Sequence, residues 1–255
     1  MSAVQFQVDA GVARIRLNRP DRLNAVNYAL IDGLHTSLRQ AVADDGVGAI
    51  LLEAAGRAFC AGDDLKEFAA NFERPTTPAD FVDRLQDISR LMMLEDKPVV
   101  CAAQGYIVGA GAAWPLNSDF CLMADDAVMF CPEAQFGLFV SGGASILLAE
   151  ALGQQRANQM IWLGERVGAR QLAEAGLTLQ LVPRANLEAA SLTLARRVAA
   201  LPQQSRHRLK RARRLDLEAR LEAALAFEAK CCIEAARDVA TAARVADRLQ
   251  ELGAD

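Results

Sequence analysis

This sequence has few histidines, and its cysteines are not spaced as metal-binding or redox pairs. Its six cysteines include no CxxC pair and no spacing typical of a metal site, and its only histidines are His35 and His207. The cysteines therefore lack the pattern of a zinc or thiol-disulfide centre, and we expect them to be buried, reduced thiols. Neither histidine has neighbours that would make a catalytic dyad or a metal site. We therefore expect no bound metal.

Long apolar runs and an excess of basic charge are also missing. No stretch reaches the roughly 18 apolar residues of a membrane span, and the first residues lack the basic start and apolar run of a signal peptide. The formal net charge is -4, with Lys and Arg distributed among the acids. We therefore expect a cytoplasmic protein that binds neither membrane nor nucleic acid. One basic run, residues 206–214 (RHRLKRARR), fits a solvated helix face better than a site for a phosphate-bearing ligand or a neighbouring subunit.

Apolar residues are abundant, at 52% of the chain, and they follow two different periods. Residues 3–17 alternate around a central turn, which predicts an opening β-hairpin. Leucines at helical spacing after a possible cap at Asn27 predict a helix, and the apolar run 47–52 predicts a buried strand after it. A similar unit returns at residues 77–103. Such repeats fit stacked sheets wound as a spiral, but they also permit an ordinary α/β domain.

The last part of the chain has a different composition. Residues 203–252 contain no glycine, and Ala, Leu, Glu and Arg recur there at helical spacing. We therefore predict a core at 1–200 and a helical region at 201–255. Apolar side chains of this tail, such as Leu215 and Phe227, need a covering surface on the core or on another subunit.

The first of two candidate functional stretches is residues 56–67 (GRAFCAGDDLKE). It follows a predicted buried strand, where α/β enzymes commonly place functional loops. Its glycines allow tight backbone geometry that leaves NH groups near Asp63 free to face a ligand. By these physical arguments alone, a structural turn fits as well as a site.

The second stretch, residues 104–114 (QGYIVGAGAAW), also follows a predicted strand. Gly109 and Ala110 stand where a helix would begin, and exposed NH groups at a helix start favour an anion. A dinucleotide site is the obvious alternative, but Trp114 replaces the third glycine of the GxGxxG pattern. The stretch therefore favours a different anionic or polarised ligand.

Together the two stretches resemble the paired signatures of the crotonase superfamily, the enoyl-CoA hydratase and isomerase group. The similarity begins at residues 18–25 (NRPDRLNA), includes Pro132 and Glu133, and continues to about Pro183. It implies an α/β fold, a crotonase-like spiral of repeated ββα units with a C-terminal helical trimerisation region. It also implies an acyl-CoA thioester substrate, no cofactor apart from the coenzyme A of that substrate, and a homotrimer or dimer of trimers.

The resemblance also implies a mechanism. Two backbone NH groups form an oxyanion hole for the thioester carbonyl as it becomes an enolate, and the matching positions are Asp63 and Ala110. An acid at Asp63 departs from the small or neutral residue expected there, since a carboxylate would repel the enolate unless it points away. Of the two glutamates that family hydratases use, the first falls on Ala113 and the second on Glu133. A methyl group cannot move a proton, so the pattern implies a Δ3,Δ2-enoyl-CoA isomerase with Glu133 as its single acid and base.

Further positions match the family's substrate contacts. The expected contacts of coenzyme A and its thioester are Arg22, Leu23, Ala25, Ala61, Asp64, Leu65, Lys66 and Gly109. Trp114 and Phe139 are the expected lining of the acyl pocket, whereas Phe68, Phe72 and Phe81 fit the core at least as well.

Two other functions stay open at this point. One is an enoyl-CoA hydratase or another crotonase-type lyase acting on a special acyl-CoA, against which the residue Ala113 argues. The other is a non-catalytic acyl-CoA-binding subunit, which an ionised Asp63 in the oxyanion hole would favour.

Overall fold

The computed structural model describes residues 2–71 and 77–253. The strands are β1 Val4–Asp9, β2 Val12–Leu17, β3 Ala49–Ala54, β4 Val99–Ala103, β5 Tyr106–Val108, β6 Phe120–Ala124, β7 Val128–Phe130, β8 Val167–Gly168 and β9 Gln180–Val182. The helices are α1 Tyr28–Ala43, α2 Leu65–Asn71, α3 Thr77–Met93, α4 Ala110–Asn117, α5 Glu133–Phe136, α6 Ala144–Leu152, α7 Gln154–Leu163, α8 Ala169–Glu174, α9 Leu187–Ala199, α10 Gln203–Ala235 and α11 Val239–Gly253.

The opening elements follow the local sequence signals. Strands β1 and β2 pair antiparallel across the turn at Ala10 and Gly11, whose φ angles of 47° and 76° explain the glycine. The side chain of Asn27 then accepts a hydrogen bond from Leu30 N and caps α1. The predicted hairpin and capped helix are both confirmed.

The strands form two sheets in a repeating order. The larger sheet has the order β1-β2-β3-β4-β6-β9, and the smaller has the order β5-β7-β8. Each of the units β4-β5-α4 and β6-β7-α5 contributes one strand to each sheet and then a helix. Because β4 pairs parallel with β6 and β5 pairs parallel with β7, successive units stack along one axis. The predicted spiral of ββα units is confirmed.

Apolar side chains cover both faces of the larger sheet. Helices α1, α3 and α4 pack on one face, and α9 packs on the other. Strands β3 and β4 are buried along their whole length, as expected for central parallel strands covered on both sides. These buried strands end at the two loops that form the candidate site.

The helical tail packs on the core of its own chain. Helix α10 contacts α3 and α6, and α11 contacts α2 and α5. Leu221 and Leu225 are fully buried there, whereas Leu215 is 88% exposed and Phe227 is 58% exposed. The exposed pair leaves apolar surface, and assembly into a trimer or a pair of trimers stays a prediction.

The basic run at 206–214 is held by ion pairs with the core. Lys210 and Arg213 pair with Asp119, and Arg211 pairs with Asp96. Within the described residues, no helix is both long enough and apolar enough to span a bilayer.

Candidate active site

The two loops predicted from sequence are joined in register. Cys60 forms a parallel bridge with Ile107, in which Cys60 N donates to Tyr106 O at 3.1 Å and Val108 N donates to Cys60 O at 2.9 Å. Asp63 lies three residues after Cys60, and Ala110 lies three residues after Ile107. The register therefore places Asp63 and Ala110 at matching positions of two neighbouring segments.

The NH groups of these two residues have no acceptor among the described residues. Asp63 bridges Val26, but the bridge bonds are Val26 N to Gly62 O and Asp64 N to Val26 O, both 2.8 Å, so Asp63 N faces the other way. Ala110 is the first residue of α4, where a backbone NH has no partner within the helix. Two backbone donors are therefore free at one place, as an oxyanion hole requires.

Glu133 begins the short helix α5 and is 6% exposed. Its Oε2 is buried and has no hydrogen-bond partner among the described residues. Burial, together with a smaller effect of the charge of Asp63, raises the pKa of Glu133 to about 8. Gly109 allows this placement, because a Cβ added to Gly109 would lie 2.7 Å from Glu133 Oε1 and its φ is +56°.

The side chain of Asp63 does not point away from the site. It lines the same cavity as Glu133, and its Oδ1 is buried without a hydrogen-bond partner in the described part of the chain. Burial and the neighbouring charge of Asp64 raise the pKa of Asp63 to about 6. The cavity therefore holds two carboxyl groups with an unpartnered buried oxygen, where the resemblance implied a single catalytic acid.

The cavity encloses about 790 Å³, part of it open to solvent. Its lining is mostly apolar and consists of Val26, Asn27, Tyr28, Asp63, Asp64, Glu67, Phe68, Phe81, Val82, Leu85, Glu133, Leu138, Phe139, Ser141, Cys232 and Ala236. Phe139 is where the sequence predicted it, and Phe68 and Phe81 join it. Cys232 and Ala236 come from the end of α10, and no sequence signal marked them as part of the site.

Trp114 does not line this cavity, which corrects the sequence-based expectation. It is fully buried and packs edge-on against Phe59, with ring centroids 6.1 Å apart. In α4 it faces the core beneath the sheet, so its large apolar surface serves packing. Phe72 lies outside the described residues.

The expected coenzyme A contacts divide into two groups. Asp64 lines the cavity and pairs with Arg19 at 3.0 Å. Ala61 and Leu65 line a second depression of about 1160 Å³, together with Arg166 and Arg248. This second depression shares the loop 61–65 with the cavity.

The remaining expected contacts lie near this loop. Arg22 and Lys66 are exposed, and Leu23 and Ala25 are half-buried. Leu23 O accepts a hydrogen bond from Ala61 N at 3.0 Å, which ties the opening signature to the loop.

The surroundings of Ala113 show how this site differs from the two-glutamate pattern. Ala113 is 2% exposed and does not line the cavity. A Cβ added to Gly142 would lie only 2.6 Å from the Ala113 Cβ, so the two backbones meet in close contact. Gly142 therefore lies directly against the Ala113 methyl group.

Comparisons with known proteins agree with this geometry. The model of the enoyl-CoA hydratase/isomerase family matches residues 7–240. The 1,2-epoxyphenylacetyl-CoA isomerase of Escherichia coli is 35% identical, covering 79% of this chain and 78% of its own. A probable enoyl-CoA hydratase of Rhodobacter capsulatus is 31% identical over 89% of this chain and 87% of its own.

Solved structures agree as well. An enoyl-CoA hydratase/isomerase from Mycobacterium paratuberculosis superposes with a TM-score of 0.91 at 26% identity, covering 97% of this chain and 98% of that one. With its spiral of ββα units, its two free NH groups and its buried glutamate, the chain belongs to the enoyl-CoA hydratase/isomerase family.

Proposed function

We propose that the protein is a Δ3,Δ2-enoyl-CoA isomerase in which Glu133 moves a proton between two carbons of the acyl chain. The observation that carries this proposal is Glu133, whose buried Oε2 has no hydrogen-bond partner among the described residues and which lines an apolar cavity together with Asp63, one of the two residues with a free NH group. A base with a raised pKa is suited to removing a weakly acidic carbon-bound proton.

The reaction follows from this arrangement. The NH groups of Asp63 and Ala110 donate to the thioester oxygen, which lowers the free energy of the enolate more than that of the uncharged thioester. Ionised Glu133 takes the α-proton of a 3-enoyl thioester, and the electron pair of the broken C–H bond delocalises into a dienolate. Return of a proton to the γ-carbon places the double bond in conjugation with the carbonyl group.

Hydration of a 2-enoyl thioester is less well supported. It would need a second carboxylate from the side of Ala113, where a methyl group stands with Gly142 close against it. The proposed reaction needs no metal and no cofactor other than the coenzyme A of the substrate.

The second depression is the proposed site of the coenzyme A portion. Ala61 and Leu65 supply its apolar part, and the guanidinium groups of Arg166 and Arg248 suit phosphate oxygens. Arg166 is held over the rings of Tyr106 and Phe130 at 5.9 and 5.0 Å.

A ring-bearing acyl group is a second candidate for the same chemistry. Aromatic residues line the acyl side of the cavity, including Tyr28 and Phe81 in edge contact at 4.9 Å. The relative from Escherichia coli is named for such a substrate, an epoxide of phenylacetyl-CoA. Competition between a linear 3-enoyl-CoA and a phenylacetyl-type thioester distinguishes the two acyl classes.

Turnover of 3-enoyl-CoA and 2-enoyl-CoA by the wild-type protein and by Glu133→Gln tests the proposal. The substitution keeps the shape of the side chain and removes the base, so isomerisation should fall by roughly 10²- to 10⁴-fold while thioester binding is largely kept. The control is Glu174→Gln, an exposed glutamate in α8. An unchanged isomerisation rate in folded Glu133→Gln, or hydration without isomerisation by the wild type, would contradict the assignment.

A further inference from the structure

The cavity contains an acid for which the single-glutamate reaction has no role. Asp63 and Glu133 both line it, and each has a carboxyl oxygen that is buried without a hydrogen-bond partner among the described residues. Gly109 lies next to both, since a Cβ placed on Gly109 would lie 2.7 Å from Glu133 Oε1 and 3.7 Å from the Cα of Gly62, which precedes Asp63. Two carboxyl groups that share one apolar cavity, each with a buried oxygen that lacks a partner, cannot both ionise cheaply.

We infer that Asp63 is a second catalytic carboxyl group, which shares one proton with Glu133 and exchanges protons with the substrate. This inference rests on the proposed isomerase function and extends it. The two side chains then act as a pair of fixed net charge. Because they share one proton, an acid at position 63 is compatible with the enolate that the NH group of Asp63 binds.

The surroundings favour one shared proton. Burial raises the pKa of Asp63 to about 6 and that of Glu133 to about 8, so between these values the pair holds a single proton.

The other acids near the pair are already engaged. Asp64 pairs with Arg19 at 3.0 Å, and Glu67 accepts a hydrogen bond from Tyr28 N at 3.1 Å. Within the described residues, no ion pair includes Asp63 or Glu133.

The thiols facing the pair stay protonated near neutral pH. Burial raises the pKa of Cys60 to about 12, and it raises the pKa values of Cys131 and Cys232 as well. These thiols therefore do not compete for the shared proton.

The pair carries the same number of protons before and after the reaction. With the shared proton on Asp63, ionised Glu133 takes the α-proton, the C–H electron pair enters the dienolate, and Asp63 gives its proton to the γ-carbon. The pair ends with one proton, as it began, but on the other carboxyl group. Transfer between the two groups, directly or through water, restores the starting state.

This relay predicts a pH profile that a single base does not give. Below about pH 6 both groups are protonated and no base is present, and above about pH 8 both are ionised and no acid is present, so the wild-type rate should be bell-shaped. In Asp63→Asn, only Glu133 titrates, and the rate should rise to a plateau with no fall at high pH.

The experiment uses Asp63→Asn, which keeps the backbone NH, with Asp63→Ala as a second variant and the exposed Asp216→Asn as the control for a lost carboxylate. Rates are measured with 3-enoyl-CoA across the pH range, and α-deuterated substrate reports how much label reaches the γ-carbon. We expect Asp63→Asn to lose roughly 10²-fold or more in rate at neutral pH and to carry a larger fraction of label to the γ-carbon. Wild-type rate and label transfer in a folded Asp63→Asn, or a wild-type rate that stays on a plateau at high pH, would overturn the inference.

A titration separates this inference from the proposed function. Carboxyl carbon NMR of the wild type and of Asp63→Asn gives the pKa of Glu133 without any turnover. Loss of the neighbouring charge should lower that pKa, and an unchanged value overturns the shared proton. A coupled titration in a protein that does not isomerise 3-enoyl-CoA would instead support the pair and overturn the reaction proposed for it.

Discussion

Charged side chains are buried in two regions of this molecule, and the two regions treat them in opposite ways. At the interface of α10 with the core, Lys210 is 4% exposed and Glu228 is fully buried, and both have partners. In the cavity, Glu133 and Asp63 each bury an oxygen without a partner among the described residues.

The partners at the interface are well placed. Lys210 Nζ donates to Asp119 Oδ2 and to Met92 O, both at 2.6 Å. Glu228 accepts hydrogen bonds from Gly143 N at 2.8 Å and Ser145 N at 2.9 Å.

The difference shows which buried charges stabilise the fold and which are kept at its expense. A paired buried charge is strongly destabilising to break, because its partner is then left unpaired. An unpaired buried carboxyl group raises its own pKa and costs stability, and such groups are concentrated at functional sites. Substitutions in the two regions should therefore change stability in opposite directions.

The largest effect is expected at Lys210. Among the described residues, Lys210→Met leaves the half-buried Asp119 with only Arg213 and Val99 N, and the free energy of unfolding should fall by about 3 kcal/mol. Urea denaturation measures this value. Lys230→Met is the control, since Lys230 is 72% exposed on the same helix and should change stability by no more than about 0.5 kcal/mol. If Lys210→Met and Lys230→Met changed the free energy of unfolding equally, the buried ion pair would not be more important for stability than an exposed one.

A smaller loss is expected at Glu228. Glu228→Met keeps the volume of the side chain but leaves the NH groups of Gly143 and Ser145 without an acceptor, which should cost about 2 kcal/mol. The loop that these NH groups belong to also contacts Ala113. The catalytic rates of the variant and the wild type should therefore be measured together with their urea denaturation curves. Glu234→Gln, an exposed site near the end of the same helix, serves as the reference. A variant as stable as the wild type would show that this acceptor contributes little.

The smallest change, and the only gain, is expected at Glu133. Its pKa of about 8 in the folded protein exceeds the ordinary value of about 4.3, so the folded state binds more protons between these values and wild-type stability falls as pH rises through this window. Glu133→Gln does not titrate and should gain about 1–2 kcal/mol near pH 7, less than the full linkage value because its amide is also buried without a partner. Thermal unfolding at several pH values measures the difference. A gain that is independent of pH would mean that Glu133 has an ordinary pKa.

Much of this protein could be predicted from local sequence. The hairpin, the Asn27 cap and the buried parallel strands depend on turn residues, capping groups and periodicity, which act between near neighbours in the chain. Glu133 and the backbone donors at Asp63 and Ala110 were predicted because they lie in short motifs that resemble those of the family.

Other features depended on contacts between residues far apart in sequence. Examples are the close contact of Ala113 with Gly142, the inward direction of Trp114 and the place of Cys232 in the cavity lining. No local signal specifies them, because they depend on how helices pack after the spiral has formed.

The charge state of the site belongs to this second group. The sequence by itself determined that acids stand at positions 63 and 133, because side-chain chemistry is independent of folding. Only the tertiary structure decided that both carboxyl groups face one poorly solvated cavity, since desolvation and mutual repulsion exist only after the two loops meet.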